Sequence, residues 1–162
     1  MKVLGIDPGY GRCGYAVIQH EKSVDQLIIA GCIETQPKDG HNRLLIVGTE
    51  IARIIIEHAP HIVAIEKLYF TKNISTGIGV AEARGVSRFV ARSHNLPIIE
   101  LGPSDIKIAL TGRGNADKRA VALMVQKLLS LPSPLTPDDA SDAAAIAITG
   151  AIHNTSLHYR GE

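Results

Sequence analysis

The stretch Val3-Leu4-Gly5-Ile6-Asp7-Pro8-Gly9 decides the fold, because it joins a short apolar run to a single carboxylate and an abrupt stop. Pro8 and Gly9 end the run and turn the chain, and a second apolar segment, residues 13–18, follows at once. The pattern predicts a buried strand that carries Asp7 at its end, with a second strand folded back beside it. A carboxylate is costly to bury without a partner. The partner of Asp7 could be either a metal ion or a hydrogen-bonding group of the protein.

Apolar segments further along predict the rest of a mixed sheet. Residues 26–33 form a third strand-like segment, so the first three strands are expected to pair antiparallel, one after another. Apolar residues recur at helical spacing over 42–58 and predict an amphipathic helix that Pro60 ends. The run 61–66 ends in Glu66 and predicts a buried strand. This strand should be parallel to a neighbour, because a helix precedes it.

The second half of the chain predicts helices around one more strand. We expect a helix over 75–93, a strand over 97–101, a short helix from Pro103, a helix over 118–130, a last helix from about Asp138 to about His153, and a polar tail from about 154. The segment 75–93 contains Gly77, Gly79 and Gly85, which lower helix propensity. Glycines in a helix indicate close approach of another element, such as a second subunit.

Length and composition indicate one globular domain over residues 1–162. With 45% hydrophobic and 20% charged residues, the chain can bury a core and is too apolar for disorder. No apolar run approaches the roughly 18–20 residues of a membrane span, so we expect no membrane partner. Cys13 and Cys32 lie in apolar segments and predict buried free thiols in a reducing cytoplasm, with a disulfide as the alternative.

Charge is unevenly distributed along the chain. The formal net charge is only +1, which does not by itself indicate nucleic-acid binding. Residues 67–127, however, contain ten basic residues against four acidic ones, so the rest of the chain is net acidic. A basic central segment is typical of a phosphate-binding face. Solvated helix faces are the alternative, and we favour that interpretation for most of these residues, such as Arg92 and Lys127.

Carboxylates follow the two buried strands and open the last helix. Asp7 and Glu66 end apolar strands, and Asp139 and Asp142 lie three residues apart, which places them on one face of a helix. Asp138 is also explained as the residue that caps this helix. Taken together, the acids predict hard oxygen ligands suited to Mg²⁺ or Mn²⁺. Two such ions, roughly 3.5–4 Å apart, support phosphodiester cleavage.

These residues closely resemble the RuvC family of Holliday-junction resolvases, which have an RNase H-like fold. The resemblance covers nearly the whole chain. Its most specific stretches are Gly5-Ile6-Asp7-Pro8-Gly9, Ala64-Ile65-Glu66, Ala83-Arg84-Gly85-Val86, residues 112–118 and Asp139-Ala140-Ser141-Asp142-Ala143. It implies an α/β fold: a five-stranded mixed sheet, antiparallel over its first three strands and then parallel, flanked by helices.

The resemblance also implies a role for individual residues. Asp7 would bridge two metal ions, and Glu66 with Asp139 and Asp142 would complete the two sites. Asp138 is four residues from Asp142 and is an alternative to Asp139. Lys118 would act in catalysis near the scissile phosphate. The implied DNA contacts are Tyr69, Phe70, Lys72, Lys107, Arg113 and Lys118, with one aromatic of the pair 69–70 stacking on an unpaired base at the crossover.

The implied function is a structure-selective endonuclease that binds a four-way DNA junction as a homodimer. It would nick two strands symmetrically with Mg²⁺, or Mn²⁺ in its place, and leave 5′-phosphate and 3′-hydroxyl ends. RuvA/RuvB-type branch-migration proteins are the implied partners. A non-catalytic RNase H-like module and an RNase H acting on RNA–DNA hybrids are the alternatives. Sugar-kinase and actin-like ATPases share an Asp-x-Gly strand, but they need a second domain that this chain is too short to contain.

Overall fold

The structure, a computed structural model, describes residues 1–21, 24–68 and 74–160, with side chains described except for 74–76 and 156–160. The elements are β1 (Lys2–Asp7), β2 (Arg12–Glu21), β3 (Val24–Glu34), α1 (Asn42–His58), β4 (Ile62–Glu66), α2 (Ile74–Ser93), β5 (Ile98–Leu101), α3 (Pro103–Thr111), α4 (Lys118–Leu128) and α5 (Asp138–Arg160). No helix within these ranges is both long enough and apolar enough to cross a membrane.

The strands form one mixed sheet in the order β3-β2-β1-β4-β5. Strands β1, β2 and β3 pair antiparallel, whereas β4 is parallel to β1 and β5 is parallel to β4. Helix α1 connects β1–β3 to β4, and this crossover makes β4 parallel to β1. The five-stranded mixed sheet that the sequence predicts is confirmed.

Alternation along the central strands divides the core into two layers. Val3 and Gly5 of β1 face α5, whereas Leu4 and Ile6 face α1 on the opposite side. Strand β4 alternates in the same way. Its side chains contribute to the α5 layer at Ala64 and to the α1 layer at Val63 and Ile65. Continuing the alternation by one step brings Asp7 and Glu66 to the side of the sheet that α5 covers.

Helix α5 lies directly on the sheet because small residues meet at the contact. A Cβ on Gly5 would collide with the carbonyl oxygen of Ala143, and a Cβ on Gly14 would collide with that of Asp139. Gly14 is also the residue of β2 that pairs with Asp7 of β1. The close approach at Gly14 therefore places the first turn of α5 beside the end of β1.

The main departure from the sequence prediction is the length of α5. The helix continues to Arg160, so the predicted end near His153 was wrong. The Thr155 hydroxyl donates to the carbonyl oxygen of Ala151 at 2.9 Å, one turn back along the helix. Asn154 also contacts Met1 Sδ, at 3.2 Å from its Nδ2. Cys13 and Cys32 are free thiols, as predicted, but only Cys13 is buried, and the predicted burial of Cys32 was wrong because it is half-buried.

Candidate active site

Asp7 and Glu66 end two neighbouring parallel strands at the same edge of the sheet. Ile6 pairs with Ile65, so the next residue of each strand brings the two carboxylates side by side. Both lie on the α5 side of the sheet, as the alternation requires. Asp7 is the last residue of β1 because Pro8 follows it, and proline lacks the N–H that the strand ladder would need.

Three helices complete a cleft over these two acids. Asp7, Glu66 and Asp142 of α5 line it together with Lys107 of α3 and Lys118 of α4. Its remaining lining is mainly apolar and comes from the same three helices: Pro103, Ile106, Val121, Ala145 and Ile146. The cleft thus combines three carboxylates and two ammonium groups over an apolar floor.

Burial and mutual repulsion raise the pKa values of Asp7 and Glu66. The pKa of Asp7 is raised from 3.8 to about 7, first by burial and then by the charges of Asp142, Glu66 and Asp139, while Lys118 opposes the rise. The pKa of Glu66 is also raised, by burial and then by Asp142. An added cation would relieve both effects, because it offsets the repulsion and favours the ionised carboxylates.

Lys118 provides the nearest cation to Asp142. Its Nζ lies 2.8 Å from Asp142 Oδ2 and 3.7 Å from Asp138 Oδ2. The hydrogen bond with Asp142 raises the pKa of Lys118. Asp117 fixes the start of α4 at this lysine, since its Oδ1 accepts from the backbone N–H of Ala120 at 2.7 Å. The ammonium therefore projects from a capped helix start into the cleft.

The two acids that open α5 differ in their surroundings. The side chain of Asp138 is 80% exposed, whereas that of Asp139 is 25% exposed. Asp139 is bound by Arg12, whose Nε and Nη2 lie 2.9 and 2.8 Å from Asp139 Oδ2. The sequence did not single out Arg12, because nothing local identifies a partner 127 residues away.

The four acids are chemically suited to bind a hard divalent cation, but two of them are held by cationic side chains of the protein. All four acids supply carboxylate oxygens, and their repulsion favours a bound cation. Lys118 and Arg12 nevertheless occupy oxygens of Asp142 and Asp139. In the part of the chain with described side chains, no three His, Cys, Asp or Glu residues are arranged to hold a metal ion. The four acids are thus candidate metal ligands, of which Asp142 is paired with Lys118 and Asp139 with Arg12.

Arg84 supports the site through the backbone of β4. Its Nε donates to the carbonyl oxygen of Glu66 at 3.0 Å, and its Nη2 lies 2.8 Å from Glu100 Oε2. Arg88, one turn further along α2, contacts the other oxygen of Glu100 at 3.1 Å. The sequence marks Arg84 within the stretch 83–86 but gives no indication that it binds the end of β4.

The remaining predicted DNA contacts fall in different places. Lys107 lines the cleft, and Arg113 is exposed in the loop that follows α3. The predictions for Tyr69, Phe70 and Lys72 lie outside the described residues.

Comparison with known proteins identifies the family. A sequence model described as crossover junction endodeoxyribonuclease RuvC matches residues 3–150. The chain belongs to the RuvC family. A RuvC of Petrotoga mobilis is 44% identical over 148 residues, which cover 91% of each chain. A RuvC of Gloeobacter violaceus is 42% identical over 156 residues, covering 95% of this chain and 90% of the relative.

Solved structures of RuvC and related resolvases have the same fold. Thermus thermophilus RuvC superimposes with a TM-score of 0.90 at 30% identity and 96% coverage of both chains. The same protein in complex with a Holliday junction substrate matches with a TM-score of 0.90 at 30% identity, covering 95% and 94% of the two chains. The yeast mitochondrial Holliday junction resolvase Ydc2, at 16% identity and a TM-score of 0.68, shares the fold alone. The predicted RNase H-like fold is confirmed.

Family membership decides among the functions that the sequence left open. A RuvC-family chain is a crossover junction endodeoxyribonuclease that acts on Holliday junctions in DNA recombination and repair. Neither a non-catalytic module nor an RNase H acting on hybrids is favoured. The predicted family and function are confirmed.

Proposed function

We propose that this RuvC-family chain resolves four-way junctions by paired, metal-dependent hydrolysis in the cleft at the ends of β1 and β4. One observation carries the proposal: the pKa of Asp7 is raised to about 7 because burial and three further carboxylates act on it. Such crowding of carboxylates destabilises the metal-free fold, whereas a bound cation would offset the repulsion, and groups with shifted pKa values cluster at functional sites. The Thermus thermophilus relative solved with a Holliday junction substrate supports the choice of substrate.

The cofactor we propose is Mg²⁺, two ions per site, with Mn²⁺ able to replace it. Membership of this nuclease family implies a divalent metal ion. Asp7 would be the shared ligand, because the charges of Glu66, Asp139 and Asp142 all act on it. Those three acids would complete the two sites. When bound, the ions supply an activated water and stabilise the leaving oxygen.

The two lysines of the cleft are proposed to act on phosphate. Lys118, which lies 2.8 Å from Asp142, would stabilise charge that develops at the scissile phosphate. Lys107 lines the same cleft from α3 and would hold the adjacent backbone. Arg113, Lys72 and one of Tyr69 and Phe70 are proposed as further DNA contacts. The products would carry 5′-phosphate and 3′-hydroxyl ends.

Paired nicking requires two sites, so we propose a homodimer. A two-fold junction presents two equivalent phosphates, which a symmetric dimer matches. Helix α2 exposes Ile78 and Phe89, with relative exposures of 53% and 73%. These residues are about three turns apart, and the exposed Gly85 lies between them on the same face. Two exposed apolar side chains with a small residue between them are suited to helix packing.

The remaining proposals follow from the family alone. They are a single nuclease domain over residues 1–162, a cytoplasmic location, and RuvA/RuvB-type branch-migration proteins as partners.

The experiment that tests the function uses a synthetic mobile four-way junction, with linear duplex and RNA–DNA hybrid of matched sequence as controls. Strand cleavage is followed with Mg²⁺, with Mn²⁺ and with EDTA. We expect metal-dependent nicks in two strands of the junction and none in the controls. Cleavage of the hybrid, or tight junction binding without cleavage in either metal, would overturn the proposal.

A further inference from the structure

Arg12 connects the sheet to the start of α5. It is the first residue of β2 and pairs across the ladder with Glu34 of β3. Its Nη1 lies 3.0 Å from Glu34 Oε1, while its Nε and Nη2 lie 2.9 and 2.8 Å from Asp139 Oδ2. One guanidinium thus joins a residue of the outer strand to a candidate metal ligand on a helix.

The geometry of this contact restrains Asp139 without using both of its oxygens. Both Arg12 nitrogens converge on Oδ2, so neither occupies Oδ1. Two bonds from one rigid, planar group fix the carboxylate more firmly than a single ammonium would. A side chain that hydrogen-bonds one atom of a metal ligand in this way orients the other atom toward the metal.

The backbone beneath the contact is restrained as well. Gly14 lies two residues along β2 from Arg12 and packs against the carbonyl oxygen of Asp139. It is also the ladder partner of Asp7. The same short segment of β2 therefore sets the distance between Asp7 and Asp139, and Arg12 sets the orientation of the Asp139 carboxylate.

We propose that Arg12, anchored by Glu34, is a positioning residue that holds Asp139 Oδ2 and directs Oδ1 toward the metal site. The inference rests on the proposed function, because Asp139 is a metal ligand only there. The alternative role for Arg12 is a cation that competes with the metal ion for Asp139. A competing cation would weaken metal binding, whereas a positioning residue strengthens it even though its own charge repels the ion.

The test measures Mn²⁺ binding to DNA-free protein by electron paramagnetic resonance of the unbound ion. We expect Arg12→Ala to raise the Mn²⁺ dissociation constant about 10-fold, the lower end of the effect of removing such a partner. Arg12→Lys keeps the charge but not the two-bond geometry, so it should show an intermediate loss. Glu34→Gln should show a smaller loss in the same direction.

Arg53→Ala is the matched control. Arg53 is exposed to the same extent as Arg12, 50% against 48%, and it also binds two carboxylates, those of Glu50 and Glu57. It lies on α1, away from the cleft, and its loss should leave Mn²⁺ affinity unchanged. In cleavage assays, excess Mg²⁺ should restore Arg12→Ala toward the wild-type rate, as weakened metal binding predicts.

Asp139→Asn separates failure of this inference from failure of the proposed function. Weaker Mn²⁺ binding by both Asp139→Asn and Arg12→Ala supports the positioning role. If Asp139→Asn weakens binding while Arg12→Ala leaves it unchanged or makes it tighter, the positioning role is overturned and the ligand assignment survives. Wild-type affinity in Asp139→Asn would overturn the ligand assignment itself, and the role of Arg12 with it.

Discussion

The Asp7→Asn substitution tests the electrostatics of the cleft in metal-free protein. Asn has nearly the shape of Asp but cannot ionise. The pKa of Asp7 is raised from 3.8 to about 7 in the folded protein, first by burial and then by neighbouring carboxylates. Below about pH 4 the folded and unfolded states both carry the proton, so Asp7 does not affect the free energy of unfolding there.

The magnitude follows from the size of the rise in pKa. Between about pH 4 and pH 7 the unfolded chain loses the proton and the folded protein keeps it, so stability falls as pH rises. At about 1.4 kcal/mol per pH unit, the full cost above pH 7 is about 4 kcal/mol. Asp7→Asn removes this cost. The metal-free variant should therefore be more stable than wild type, by a margin that grows by about 2–3 kcal/mol between pH 5 and pH 8.

The assay is urea unfolding in EDTA at pH 5 and pH 8. Glu57→Gln is the control, since it neutralises an exposed carboxylate on α1 and should change stability by less than about 1 kcal/mol at either pH. Added Mg²⁺ should stabilise wild type more than Asp7→Asn. The variant should also bind the junction normally and fail to cut it. A margin that does not change with pH, or cleavage near the wild-type rate, would refute the reasoning.

Three further substitutions test other parts of the molecule. Lys118→Ala should slow junction cleavage at saturating DNA about 100-fold, because it removes charge stabilisation at the phosphate, while binding measured by gel shift weakens far less. Phe89→Glu should convert a dimer to a monomer in analytical ultracentrifugation, because it replaces an exposed apolar side chain of α2 with a charge. Gly14→Ala should lower stability in urea by about 1–3 kcal/mol, because its Cβ would meet the backbone of α5.

Each of these substitutions has a matched control. Lys127→Ala alters an exposed lysine at the far end of α4 and should leave cleavage unchanged. Leu45→Glu alters a residue of α1 that is 67% exposed and should leave the oligomeric state unchanged. Gly11→Ala adds a Cβ with no atom within 4 Å and should cost little. A pure binding defect in Lys118→Ala, an intact Phe89→Glu dimer, or equal stability of the two glycine variants would contradict the respective expectation.

Most of the fold was predictable because its signals are local. The strand that ends at Asp7 and the strand that ends at Glu66 both follow from apolar runs with a polar stop. Helix α1 spans residues 42–58 in the structure, the range that its helical periodicity predicts. The end of α5 was not predictable in this way. A polar sequence after His153 is typical of a frayed tail, yet the helix continues to Arg160.

The sequence by itself determined which acids end the strands and which share a helix face, because apolar runs mark the strands and side chains recur every three to four residues in helices. From this alone, Asp7 and Glu66 were assignable to strand ends, and Asp139 and Asp142 to one helix face. The choice of family rested on the same stretches of sequence.

Only the tertiary structure decided which charges meet across the site. Arg12 pairs with Asp139, which is 127 residues away, and Lys118 pairs with Asp142. The members of each pair belong to different elements, so the pairing depends on how those elements pack. The raised pKa of Asp7 likewise depends on burial beneath α5, which a strand sequence does not specify. Periodicity is a property of a few neighbouring residues, whereas electrostatics at the cleft is a sum over segments that only the folded core brings together.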